Sequence, residues 1–269
     1  MTEQEPRGPR RSRPSKFTVA TVGTVATLLA AIAGLISALT PWFGNGDGKQ
    51  SGAVVGRDTT VTVAAPERLI FASSLERKGP FATLNAHGCN QRFTDVGYRI
   101  STLGRFKFCD SLIRANAEVS ALRSARVEAT ILWSQIPGAT FRKFGAGDAS
   151  LSCRGNGEGS AANGYFATLT NSGHWEFNRY VRGEQQHLDL GDDMGLASEE
   201  GETRRLRLDC AEVERGAVRL TFYVNGRLVA TYTDGEPVPT GLVGVAVASY
   251  TTKPMVVTFR ELRIYGPSS

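Results

Sequence analysis

Lysine is scarce in this chain: six Lys stand against 25 Arg among 269 residues. That ratio points to a high-GC bacterial genome and carries nothing about function. Histidine is scarcer still, at three residues, and none sits at metal-ligand spacing; no two of the four cysteines lie within four positions of each other. Both absences argue against a zinc finger or ribbon. The chain has no nucleophile elbow, and no Ser-His-Asp set can be assembled from its spacings. An excess of basic charge on the folded part is missing too. Of the net +5, residues 1–16 supply +3 through Arg7, Arg10, Arg11, Arg13 and Lys16 against Glu3 and Glu5, which leaves 26 basic against 24 acidic groups on the other residues. A nucleic-acid-binding domain concentrates its cations on the fold, so nucleic acid is not an expected partner.

Charge is absent altogether from 17–43, FTVATVGTVATLLAAIAGLISALTPWF, a run of 27 residues. A bilayer core about 30 Å thick needs roughly 20 apolar residues in helical form, so this run is expected to span a membrane as one helix. Pro41 ends it, and Trp42 and Phe43 suit the far interface. Basic residues cluster before the span, while Lys49 and Arg57 are the only ones in 44–64. The positive-inside rule then leaves 1–16 as a cytoplasmic basic tail and the C-terminal part outside, in a single-pass cell-membrane protein. A cleaved signal peptide fits less well, because its apolar region is shorter and ends at a small-x-small site. Residues 44–66, rich in Gly, Ser and Thr, read as a flexible linker. Cys89, Cys109, Cys153 and Cys210 all fall on the outer side, where disulfides persist. Four cysteines allow three connectivities; Cys89–Cys109 with Cys153–Cys210 joins neighbouring segments without interlacing and is the expected one.

From residue 67 to 269 the hydrophobic pattern has period two, and no stretch reads as an amphipathic helix. Val218, Leu220, Phe222 and Val224 alternate with polar neighbours up to Asn225-Gly226, a type I′ turn, and Leu228, Ala230 and Tyr232 return. A second hairpin, 164–181, turns at Asn171-Ser172-Gly173. Further strands are expected near 68–73, 96–102, 113–120, 125–134, 149–154, 203–211, 241–248 and 255–265. About twelve strands in about 200 residues indicate an all-β fold, a sandwich of two antiparallel sheets.

Several pieces occur in order: Cys153-Arg154, Gly-Tyr-Phe at 164–166, Gly-x-Trp-x-Phe at 173–177, LRLDC at 206–210, TFYVNG at 221–226, Asp234, GLVGVAV at 241–247 and a last strand VVTFRELRIYG. This set resembles the concanavalin A-like lectin/glucanase sandwich, in particular its bacterial extracytoplasmic laminin-G-like and keto-disaccharide-hydrolase-like branches. The resemblance covers roughly 67–266 and implies a jelly roll whose concave face, in many relatives, binds saccharides. Fold likeness alone does not establish function. The glucanase branch carries Glu-x-Asp-x-(x)-Glu along one strand, which puts two acids about 5.5 Å apart for a retaining mechanism. No such run exists here. The nearest acids, Asp192-Asp193 and Glu199-Glu200-Gly201-Glu202, are adjacent in a Gly-containing loop, so their side chains need not converge; calcium is the one metal they suit.

The candidate ligand-binding residues are therefore few. His174, Glu176, Asn178 and Tyr180 share one face of a strand, and Trp175, Phe177 and Arg179 share the other, taken as the core face. The polar face looks to solvent or into the concave groove, where groups beside a Tyr suit carbohydrate hydroxyls. Arg154 opens a Gly-rich loop and either binds a ligand oxygen or pairs with a carboxylate. Trp133 ends a strand at a loop mouth and either packs in the core or offers a stacking platform. His87 and His187 fall in separate loops. No catalytic residue, resident metal or cofactor is expected. The functional expectation is a non-catalytic, membrane-anchored extracytoplasmic binding module for glycans or other cell-envelope ligands. Two alternatives are a glycoside-processing hydrolase of the same fold and a sensor or assembly protein acting through a membrane protein partner.

Overall fold

The computed structural model describes residues 68–104, 107–113, 117–120, 122–138, 145–156 and 163–267, all within the compact unit Val61–Ser269. The expected cytoplasmic tail, spanning helix and linker lie outside the described residues. Among those described, no helix is long and apolar enough to cross a membrane.

Fifteen strands appear among the described residues: β1 (Arg68–Ser73), β2 (Leu84–Ala86), β3 (Cys89–Thr94), β4 (Gly97–Thr102), β5 (Lys107–Leu112), β6 (Ala125–Gln135), β7 (Gly147–Asn156), β8 (Asn163–Thr170), β9 (His174–Val181), β10 (Glu184–Asp192), β11 (Thr203–Glu212), β12 (Val218–Val224), β13 (Arg227–Asp234), β14 (Leu242–Ser249) and β15 (Met255–Gly266). They form two antiparallel sheets. The nine-stranded one runs β13-β12-β11-β6-β15-β4-β3-β2, with β1 on the far half of β15, and the six-stranded one runs β10-β9-β8-β7-β14-β5.

Alternation dictates the packing. Val127, Ala129, Ile131 and Trp133 of β6 point inward with Leu206 and Leu208 of β11 and Phe222 of β12; from the other sheet come Ala149, Leu151, Leu169 and Phe177. Phe177 meets Phe222 across the layer, ring centroids 6.4 Å apart. The even positions of β7, β8 and β9 are thereby turned to the outer side. Asn225 and Gly226 both take positive φ, as a type I′ hairpin requires.

Cys89–Cys109 and Cys153–Cys210 are the disulfides. Each joins one sheet to the other, β3 to β5 and β7 to β11. Polar clamps do the same at the rim. Asp234 of β13, 4% exposed, accepts from Tyr165 Oη at 2.6 Å and from Arg179 Nη1 at 2.9 Å.

Three expectations need correcting. The described residues of 113–120 form no strand: Ile113 is buried, Ala117–Ser120 makes one helical turn, and the strand is β5, which ends at Leu112. Cys109 must face inward to reach Cys89, and that sets the alternation of β5. Strands β2, β3 and β10 were not expected, since β2 has three residues and β10 is a polar edge strand. β10 is joined to β9 by Arg182-Gly183, both at positive φ, and Arg is not a turn-forming residue. His187 lies in β10 and not in a loop.

Candidate functional site

A cleft of about 570 Å³ opens on the outer face of the six-stranded sheet, lined by residues from all six strands and by Tyr250 just past β14. Register explains the convergence. Ser150, Thr168 and Glu176 are aligned across β7, β8 and β9, so their side chains stand in one row. Asp148 sits two positions along β7 from Ser150, on the same face.

Asp148 is 4% exposed. Its Oδ2 accepts from the Tyr250 hydroxyl and its Oδ1 from the Ala248 amide at 3.2 Å, with Ser150 Oγ 3.5 Å away. Burial pushes its carboxyl from the ordinary 3.8 up to about 7; the Tyr250 hydrogen bond opposes the rise and the charge of Glu176 adds to it. Tyr250 in turn is raised, by burial first and then by Asp148.

Glu176 is held from two sides. Its Oε1 is 2.9 Å from His174 Nε2, and its Oε2 accepts from Asn178 Nδ2 at 3.0 Å with His187 Nδ1 at 3.4 Å. His174, 1% exposed, places Nδ1 2.8 Å from Asp192 Oδ1. Both ring nitrogens thus face carboxylate oxygens. The imidazole bridges the Asp192 and Glu176 carboxyls and fixes the Glu176 side chain from behind. Asn178 Oδ1 accepts from Gln185 Nε2 at 3.0 Å, which ties the row to β10.

Beside the carboxyls stands an apolar wall. Phe108 of β5, Phe166 of β8 and Tyr180 of β9 contact one another, with centroids 5.1 to 6.0 Å apart. Burial raises the Tyr180 hydroxyl to about 12, helped by the charges of Asp148, Glu176 and Asp110.

The structure therefore brings His174, Glu176 and Tyr180 together on the outer face and separates them from the other two candidates. Trp133 is 0% exposed, inside the core, and is no stacking platform. Arg154 is 5% exposed at the rim of the sandwich, at φ 54°. It donates to the carbonyls of Val238 and Arg123 at 3.1 and 2.7 Å and pairs with Glu212 Oε2 at 3.1 Å, joining the two sheets. The acids of 192–202 do not converge. Asp193 caps the Met194–Leu196 turn and pairs with Arg227, Glu200 accepts from the Ile136 amide, and Glu202 pairs with Arg204. Among the described residues no group of three or more His, Cys, Asp or Glu is arranged to hold a metal ion.

Asp148 and Tyr250 were missed in the sequence because each lies just outside an expected strand. The signal that was present is the alternation Asp148-x-Ser150-x-Ser152, polar on one side of a strand whose other side is Ala149, Leu151 and Cys153. On the cleft side each of β5, β7, β9 and β10 carries one acid, so the acids come from separate strands and not from one alternating run.

A larger hollow, about 1290 Å³, lies beside Phe81, Leu84 and Gln91. Gln91 and Ser111 in its wall are engaged by the buried Tyr98, whose Oη lies 3.0 Å from Ser111 Oγ and 3.2 Å from Gln91 Oε1. The cleft over β7–β9 is the candidate site.

No family model matches the chain, and no curated protein matches it. Solved structures do. Carbohydrate-binding module CBM66 from Bacillus subtilis matches over 70% of this chain and 96% of its own, at 18% identity and TM-score 0.53. A β-1,3-1,4-glucanase (lichenase) derived from a mouse hindgut metagenome matches over 74% and 99%, at 13% identity and TM-score 0.50. The metal-free carbohydrate recognition domain of Emp46p matches over 68% and 88%, at 12% identity and TM-score 0.48. The likeness to the first two shows the fold, a concanavalin A-like sandwich of two antiparallel sheets.

Proposed function

We propose that this chain is a glycan-binding module, non-catalytic and held outside the cell membrane by residues 17–43. The observation that carries the reading is the cleft itself. Hydrogen-bonding groups from Asp148, Ser150, Thr168, Glu176, Asn178 and Gln185 share it with the wall of Phe108, Phe166 and Tyr180. A pyranose has the matching pattern, hydroxyls around its edge and an apolar C–H face. The fold shared with a carbohydrate-binding module supports this, and two disulfides suit an oxidising compartment. The anchor rests on the uncharged 27-residue run.

Thermal unfolding of the full chain against a panel of cell-wall and plant oligosaccharides, with and without calcium, tests the binding. A ligand at 100 times its Kd adds about 2.7 kcal/mol to stability, and Tyr180→Ala and Glu176→Gln abolish that gain. No shift with any saccharide overturns the reading. Membrane attachment is tested separately by alkaline extraction, which leaves a spanning protein in the pellet and releases a peripheral one.

One observation favours hydrolysis as a second reading. Asp148, with a carboxyl at about 7, shares a cleft with Glu176, and a proton donor near neutrality is what general-acid chemistry needs. Glycoside turnover by the wild type, lost in both Asp148→Asn and Glu176→Gln, would establish it.

A further inference from the structure

If the cleft is a saccharide site, its charge decides which saccharides enter. The chain holds 25 arginines, yet the lining residues include two carboxyls, Asp148 and Glu176, and no Lys or Arg. Arg179 of β9 points the other way, to Asp234, and Arg205 and Arg207 lie on the opposite face of the sandwich with Glu128 and Asp209. Beside the lining, the His174 ring stands between the carboxyls of Asp192 and Glu176.

Asp148 is the least compensated of these acids. Its partners, the Tyr250 hydroxyl and the Ala248 amide, are neutral. Thr168 and Thr170 face it from β8, and the titratable groups around it are Glu176 and Tyr180 on β9, with Asp110 on β5 also acting on Tyr180. No Lys or Arg lines the cleft to offset its charge, and the nearest bases, His174 and His187, are placed against Glu176. A sugar hydroxyl placed there adds one more neutral partner, whereas an ammonium supplies the missing charge and three donors. The rings beside it also favour a cation over an anion, because an aromatic face is electron-rich.

We propose that the cleft selects glycosyl units bearing a free primary amine, with the ammonium held by Asp148 and Glu176 and the apolar face of the sugar against Tyr180 and Phe108. Uronic, sulfated and phosphorylated saccharides are excluded by the same charges. Binding at a pH where Asp148 is protonated transfers its proton to the buffer, and the new carboxylate is neutralised by the ammonium.

Three hexasaccharides that share a β-1,4-linked glucose backbone and differ only at C2 provide the test: the glucosamine hexamer, the N-acetylglucosamine hexamer and cellohexaose. Calorimetric titration of the full chain, in a non-glycosidic detergent at about pH 6, compares amine, acetamide and hydroxyl. The amine is expected to bind about tenfold tighter than the other two or better. Its affinity should fall with added salt, and repeating the titration in buffers of different ionisation enthalpy should reveal released protons for the amine alone. Since the chain carries net +5, general electrostatics oppose a polycation, so tighter binding reports the cleft. Asp148→Asn and Glu176→Gln are expected to bring the amine down to the level of cellohexaose. Should either variant fail to fold, proton release and salt dependence in the wild type still decide. Equal or tighter binding of cellohexaose or the acetamide overturns amine selection and leaves the glycan reading standing. Failure of these and of every saccharide in the wider panel overturns both.

Discussion

Replacing Asp148 by asparagine isolates the cost of a carboxylate buried without a cation. The acid is 4% exposed, and its carboxyl ionises near 7 in the fold against 3.8 ordinarily. Because the folded value is the higher one, the native state holds a proton that the unfolded chain releases between those limits. The stability this group contributes is therefore complete below about pH 4 and is lost as pH rises through about 7. A gap of about 3 pH units corresponds to about 4 kcal/mol. Asparagine keeps the shape and the partners, with its oxygen toward the Ala248 amide and its NH2 toward the Tyr250 oxygen, which can accept. The variant has no charge to bury, so its stability relative to wild type is expected to climb by about 4 kcal/mol from pH 4 to pH 8. Titrations that do not couple to Asp148 are common to both proteins and cancel. Urea unfolding followed by the fluorescence of Trp133 and Trp175 reads the difference directly. At a urea slope of about 2 kcal/mol per molar, the midpoint of the variant moves up by about 2 M relative to wild type. Parallel curves across this range, or a wild type that gains on the variant as pH rises, would refute the burial argument and show that Asp148 is a stabilised carboxylate in the native state.

The disulfides differ in the chain they close, 57 positions for Cys153–Cys210 and 20 for Cys89–Cys109. By loop entropy, serine replacement of the first pair costs about 4 kcal/mol and of the second about 3; chemical unfolding of the two double variants checks the order, and a clearly larger loss for the shorter loop contradicts it. Arg154→Ala leaves Glu212 and the carbonyls of Arg123 and Val238 without their donor, a loss of about 3 kcal/mol. Saccharide affinity of the folded variant is expected to equal that of wild type; a drop would return Arg154 to the binding surface. A Cβ on Gly191 would sit 2.6 Å from the Trp175 ring, so Gly191→Val must push the indole off β10, costing about 1–3 kcal/mol and shifting the Trp emission to the red. Unchanged emission would mean that Trp175 does not rest on Gly191.

Much of the fold was legible along the chain because its causes are local. Period-two alternation in 217–233 and 164–181 marked the hairpins, and Asn225-Gly226 announced its turn through the φ values it tolerates. The disulfides join neighbouring cysteines in chain order, the arrangement expected. Alternation also assigned Phe177 to the core and His174, Glu176 and Tyr180 to the opposite side. Where local signals were weak, reading failed: β10 has only Leu188 and Leu190 as apolar residues, and Arg182-Gly183 turns without a residue that favours it at the first position.

What the sequence by itself determined is the alternation, and with it the side of the sheet on which each candidate stands. Only the tertiary structure decided which of those side chains meet. Asp148 and Tyr250 are 102 positions apart and come together because β14 pairs with β7. Glu176 joins them because β8 lies between β7 and β9 and holds the rows in register. The same registration buried Trp133 between the sheets and spent Arg154 on joining them. Neighbour identity across a sheet is set by strand order and not by spacing along the chain, so a cleft floored by six strands has no linear motif.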